Sequence, residues 1–161
     1  MPELEHLAES SLDHLRLVLA AGQIGIWELD LETGTAWRNF RHDEIFGYDE
    51  LLPQWTYEQF LDHVIPADRG EVDDRQKQAL ERGEDWVFEC RITRAEGEER
   101  WISGAGRPLI VDGAPTKIIG HVIDITDTKR NETRLETLTA ELNHLSRIHP
   151  SHCHPQNLCP T

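Results

Sequence analysis

Hydrophobic and polar residues follow two different rhythms along this chain. In "IGIWELDLETG" Trp27, Leu29 and Leu31 alternate with Glu28, Asp30 and Glu32, which predicts a strand with one apolar face. Glu32, Thr33 and Gly34 close it in a turn. "TAWRNF" follows as the partner strand of a hairpin. From Asp43 to Gly83 the rhythm becomes helical. "DEIFGYDELL", "TYEQFLDHVI" and "GEVDDRQKQALERG" read as short helices separated by Pro53 and Pro66. Thr56, Asp68 and Gly70 lie near their starts, and Gly83 is a stop. Alternation then returns in "DWVFECRITR", "RWISGAGRPLIV" and "PTKIIGHVIDIT", joined by the turns "AEGE" and "DGA".

The two ends are helical. Leu4, Leu7, Leu12, Leu15 and Leu19 recur at mostly three- and four-residue steps over residues 3–20, one face of a helix. That face suits either a dimer surface or a cover for the outer side of a sheet. At the other end "HVIDITDTKRNETRLETL" passes from strand to charged helix with no Gly, Pro or spacer between. The order of elements predicts an α+β fold, a five-stranded antiparallel sheet with short helices on one face, flanked by an N-terminal helix and a C-terminal one. Its divisions fall at 1–21, 22–126, 127–148 and 149–161, the last a disordered tail.

Composition narrows the function. The 161 residues carry 16 Lys and Arg against 30 Asp and Glu, a formal net charge of −14. That field repels nucleic acid and anionic membrane surfaces. No apolar run approaches the roughly 20 residues that span a bilayer, and the polar, acidic N-terminus is no signal peptide. Cys90, Cys153 and Cys159 are too few and too uneven for a disulfide framework. A reducing, cytoplasmic setting is the expectation. No nucleophile and base pair, carboxylate pair or phosphate loop appears, so the chain is expected not to be an enzyme.

Five segments in order, "GIWELDLETG", "IFGYDE", "TYEQFLDHVIPADR", "FECRITRAEGEERWI" and "IIGHVIDITDTKR", resemble the PAS domains found ahead of bacterial signalling enzymes. The resemblance runs from about Gly22 to Arg130. It implies a sheet wrapped around an internal pocket, with Asp124, Ile125 and Thr126 as the Asp-Ile-Thr motif that passes signals to a following helix. The segment "RLETLTAELNHLSRIH" is similar to the linker helix of sensor histidine kinases. The kinase pattern of a phosphoacceptor His beside an acidic residue is not followed, since His144 is succeeded by Leu145 and Ser146. A downstream effector such as a histidine kinase, joined in cis, is what the resemblance implies.

At the junction, Asp124 ends an apolar strand, where an unpaired carboxylate would be costly; Arg100 and Arg107 are the nearest candidate partners. Thr126 suits the N-cap of the outgoing helix, with Asp127 in its first turn. A strand end and a helix cap would account for these residues equally well without a relay. Leu135, Leu138, Leu142 and Leu145 are spaced three, four, three, as in the a and d positions of a parallel coiled coil and hence a homodimer. Two heptads also fit a helix that lays its leucines on its own domain.

Candidate pocket residues are Trp27, Phe46, Trp86, Phe88, Cys90 and Trp101. Cys90 shares a strand face with Trp86, Phe88 and Ile92, and a lone cysteine there is most often a small buried hydrophobe. The flavin-reactive Asn-Cys-Arg motif of light-oxygen-voltage domains is missing. Haem-binding relatives place a histidine on the long middle helix, whereas "GEVDDRQKQALERG" has none, leaving His42, His63 and His121 as isolated axial candidates. Trp27, Trp37, Trp55, Trp86 and Trp101 could stack on a planar ligand such as a flavin, or simply form core. No bound cofactor is the first expectation, with flavin or haem the alternative and a small molecule the simplest ligand. His149, His152, Cys153, His154 and Cys159 crowd the tail without finger spacing, and no metal site is assigned. The reading is a sensory domain detecting a small ligand, redox state or partner. Its rivals are a flavin- or haem-bound redox or gas sensor, and a ligand-free dimerisation module whose pocket is filled by Phe46, Phe88 and Trp101.

Overall fold

The computed structural model describes residues 12–17 and 19–148. It comprises two units, one through Ile125 and one from Thr126 onward. The first opens with helical residues 12–17 and 19–22 (α1), followed by β1 (Gly25–Asp30) and β2 (Ala36–Arg38). Three helices come next: α2 (Phe40–Ile45), α3 (Tyr57–His63) and α4 (Pro66–Arg82). Three long strands complete the unit: β3 (Trp86–Thr93), β4 (Glu99–Val111) and β5 (Ala114–Asp124). The second unit holds α5 (Thr126–Ile148). Of the N-terminal leucines, Leu4 and Leu7 lie outside the described residues, as do the tail residues from His149 onward.

The sheet is antiparallel throughout, in the order β2-β1-β5-β4-β3. β5 therefore sits at its centre. Alternation carries one face inward: Trp27, Leu29, Trp86, Phe88, Cys90, Ile92, Ile102, Ile118 and Val122 are all buried. Phe46, Trp55, Phe60, Val64, Val72 and Ala79, from α2 to α4 and their connections, meet them in one core. Burying this many large apolar side chains, at roughly 1.5–3 kcal/mol each, is what the alternating pattern is for.

Helix boundaries depart from the periodicity. "DEIFGYDELL" is not one helix: α2 starts earlier, at Phe40, because Asn39 caps it, its side-chain oxygen accepting the His42 N–H at 3.1 Å. This cap also cuts "TAWRNF" to the three residues of β2. The helix stops before Gly47, which turns at φ +97°, where an added Cβ would lie 2.7 Å from Ala95 N. Pro66 follows the break after α3 and is itself the first residue of α4, where its missing N–H costs nothing. Thr56 caps α3 in a reciprocal capping box with Gln59. Gly83 ends α4 in a left-handed conformation. Asp68 in the first turn of α4 accepts from the Arg91 backbone N–H (2.9 Å), Nε (3.1 Å) and Nη2 (2.9 Å), fastening the helix to β3.

Candidate functional site: an aromatic cavity and the strand that leaves it

Between the inner face of the sheet and α2–α3 lies a cavity of about 30 Å³, walled by Trp27, Phe46, Trp55, Phe60, Trp86 and Phe88 with Val122 at its base. The rings pack on one another: Trp86 and Phe88 at 4.5 Å between centroids, Phe46 and Trp55 at 5.0 Å, Phe60 and Phe88 at 5.4 Å. Since one water needs about 10–15 Å³ by this measure, the space takes two or three waters and not a flavin or haem, whose sites run to hundreds of Å³. Of the six residues named as pocket lining, Trp27, Phe46, Trp86 and Phe88 form the wall. Cys90 and Trp101 do not. Cys90 is fully buried in the sheet core beside the cavity, and burial pushes its thiol up to about 12. Trp101 faces the other side of the sheet, opposite Arg91, whose guanidinium lies 5.5 Å from its ring centroid. Trp37 is on that outer side too, and exposed.

Among the candidate histidines only His42 touches the cavity. It belongs to a buried polar cluster that periodicity could not reveal. Arg38 grips Asp43 through Nε (3.1 Å) and Nη2 (2.7 Å), and also donates to Ala36 O (3.0 Å) and Leu52 O (2.9 Å). Asp43, wholly buried, further accepts the Leu52 N–H at 2.9 Å and lies 2.7 Å from His42 Nδ1. Burial alone would raise the Asp43 carboxyl, but bonds from His42, Arg38 and Leu52 hold it well below the carboxylate range. Burial lowers His42, partly opposed by Asp43. A neutral His42 therefore donates its Nδ1 hydrogen to Asp43. His63 is tied at both nitrogens, to Thr93 O (2.7 Å) and Tyr48 Oη (2.9 Å), and His121 lies on the outer sheet face. Tyr57, another wall residue, donates its hydroxyl to Asp73 at 2.8 Å.

The cavity and the candidate relay share one strand. Val122 lines the cavity, and two residues later Asp124 ends β5. Arg100, not Arg107, pairs with it: Arg100 Nε lies 3.1 Å from Asp124 Oδ2, an ion pair without the alignment of a hydrogen bond, while Arg107 binds Asp85 at 3.0 Å. Ile125 donates its N–H to Trp101 O at 2.9 Å, extending the β5 to β4 pairing by one residue. The helix then begins at Thr126, which makes Thr126 its first helical residue and leaves Ile125 in the capping position expected for Thr126. One residue separates strand from helix. In α5 the leucine series Leu135, Leu138, Leu142 and Leu145 is exposed along the whole stripe.

These features match a known family. The model of the PAS fold matches residues 35–122, more than half of the chain. The chain belongs to the PAS fold family. A blue-light-activated histidine kinase of Brucella anthropi is 28% identical over 136 residues, covering 84% of this chain and 27% of that protein. The sensor protein FixL of Bradyrhizobium diazoefficiens is also 28% identical, over 140 residues, covering 86% of this chain and 27% of that one. Among solved structures, a sensory box histidine kinase/response regulator from Burkholderia thailandensis superposes with a TM-score of 0.69 at 28% identity, over 81% of this chain and 98% of that one. The chain thus spans about a quarter of the length of these curated relatives. Among the described residues, no helix is long and apolar enough to cross a membrane.

Proposed function

We propose that this domain is the input module of a signalling protein, reading events at its aromatic cavity and relaying them through Asp124, Ile125 and Thr126 to α5. The observation that carries this reading is the continuity of β5, which holds Val122 in the cavity wall and Asp124 at the junction. A change of packing around Trp27, Phe46 or Phe88 presses on the central strand of the sheet. In this reading the exposed leucine stripe pairs with that of a second copy as a coiled coil, and its register sets the activity of an effector joined in cis, of the histidine kinase type. The size of such coupling is bounded by the difference in input affinity between the two states. Spin labels placed near Leu138 in each copy test it: the wild-type chain is expected to populate two separations, and Asp124→Ala one. An unchanged distance distribution in Asp124→Ala would remove the relay role from that residue.

A second reading, a dimerisation module without a ligand, is favoured by the small volume of the cavity and by the presence of Phe46 and Phe88 in its wall. Native mass spectrometry of the purified chain separates the two. A dimer with no added mass is expected from this second reading. A dimer carrying a small molecule, or one coloured by flavin or haem, would exclude it and require the aromatic wall to open.

A further inference from the structure

Between the cavity and Asp124 runs a continuous series of polar contacts along the edge of the fold, separate from the apolar core. It begins where α2 ends beside the cavity. Arg94, just past the end of β3, donates from Nε to Ile45 O (3.2 Å) and from Nη2 to Glu44 O (3.0 Å), the last carbonyls of α2. A guanidinium there also meets the negative end of the helix dipole. The next residue joins in, Ala95 N donating to Phe46 O at 2.9 Å. Phe46 is thus held by its backbone to the β3–β4 turn while its ring lines the cavity. Gly47 makes the approach possible, since a side chain there would strike Ala95 N and Glu96.

From Arg94 the series continues through charge. Its Nη1 pairs with Glu96 and lies 3.4 Å from Glu98 Oε2; the other oxygen of Glu98 lies 3.4 Å from Arg100 Nη1; and Arg100 Nε lies 3.1 Å from Asp124. Each of these pairs is partly exposed, and singly stabilises little. Their value lies in connection. Arg94 uses the forked geometry that Lys lacks to hold two backbone carbonyls and two carboxylates at once. Arg94, Arg100, Glu44 and Asp124 also wall a polar cleft of about 290 Å³ with Arg41 and the end of α1, so the series is accessible to solvent and its charges can rearrange without repacking the core.

We infer that Arg94 is a positioning residue that couples the cavity wall at Phe46 to Asp124, the side chains of Glu98 and Arg100 completing the connection. The inference rests on the relay reading of Asp124. Its test uses a substitution as the input, so no ligand is required: Phe46→Leu is introduced into the full chain, and backbone amide shifts are followed by NMR at Trp55, beside the ring, and at Asp124 and Ile125. With Arg94 present, both places are expected to shift. In Arg94→Gln the shift at Trp55 is expected to persist, while that at Asp124 and Ile125 falls at least threefold. Glu98→Gln, which leaves the Arg94 bonds to α2 intact, is expected to give the same loss and serves if Arg94→Gln does not fold. A shift at Asp124 undiminished in both variants, or absent with Arg94 present, overturns the coupling. The relay reading is judged separately, by the spin-label distances in Asp124→Ala.

Discussion

Asp43→Ala is expected to destabilise the domain by about 3–5 kcal/mol, the cost of leaving a buried charge without its partner. Arg38 would remain buried with two of its four bonds gone, and Leu52 N–H and His42 Nδ1 would lose their acceptor. Against a total stability of about 5–15 kcal/mol this is a large share. Urea unfolding followed by tryptophan fluorescence measures it; a loss below about 1 kcal/mol would mean that the cluster is solvated. The same cluster sets the acid response. The Asp43 carboxyl is held below its ordinary value of 3.8, so its contribution is complete above that pH and disappears as pH falls below it. His42 acts in the same direction. Its folded value lies below 6.5, the unfolded chain binds the extra proton first, and stability declines as pH falls beneath 6.5. The groups that face it are Asp43, Arg38 and His63. Wild-type unfolding is therefore expected to weaken from about pH 6.5 downward and more steeply below pH 4. In Asp43→Ala the steeper limb should be reduced.

Gly120→Ala is the second large effect. Gly120 lies between Trp27 on β1 and Gly106 on β4 in the sheet pairing. A Cβ at position 120 would strike Ala105 O, sit 2.5 Å from Trp27 Cζ2 and 2.9 Å from Gly106 Cα. Two of these three neighbours are backbone and cannot rotate aside, so the cost is expected near the upper end of overpacking, about 3 kcal/mol. Trp27 would be displaced as well, and it forms part of the cavity wall. Calorimetry of Gly120→Ala beside Gly70→Ala gives the comparison. Gly70 lies within α4 with open space around its Cβ position, so alanine there should stabilise the chain by up to about 1 kcal/mol. Equal transitions for the two variants would show that the β4–β5 approach is not close.

Much of the architecture is legible in the sequence because a sheet with one buried face writes its period directly into the chain. Trp86, Phe88, Cys90 and Ile92 are apolar at every second position and all are buried. Ends of elements were less legible. The start of α2 depends on the Asn39 side chain and its end on Gly47, features of single residues that periodicity averages away. Membership of the cavity wall is a tertiary property. Trp101 and Phe88 have the same composition signal, yet strand register sends them to opposite faces. The Arg38–Asp43–His42 cluster was hidden for another reason. Its members look like ordinary surface charge in "WRNFRHDE", and they come together because Arg38 is the buried position of β2 while His42 and Asp43 lie in the helix that starts after the Asn39 cap. A short run in which Arg, His and Asp precede an apolar turn such as "IFGY" was the available signal.

The single residue between β5 and α5 makes length a structural variable. An α-helix advances about 100° per residue, so adding one residue between Thr126 and Leu135 would swing the leucine stripe by that angle relative to the first turn, and adding seven would bring it nearly back. In the proposed relay, insertions within α5 would be read by phase and not by size, so that seven residues disturb the leucine register less than one does.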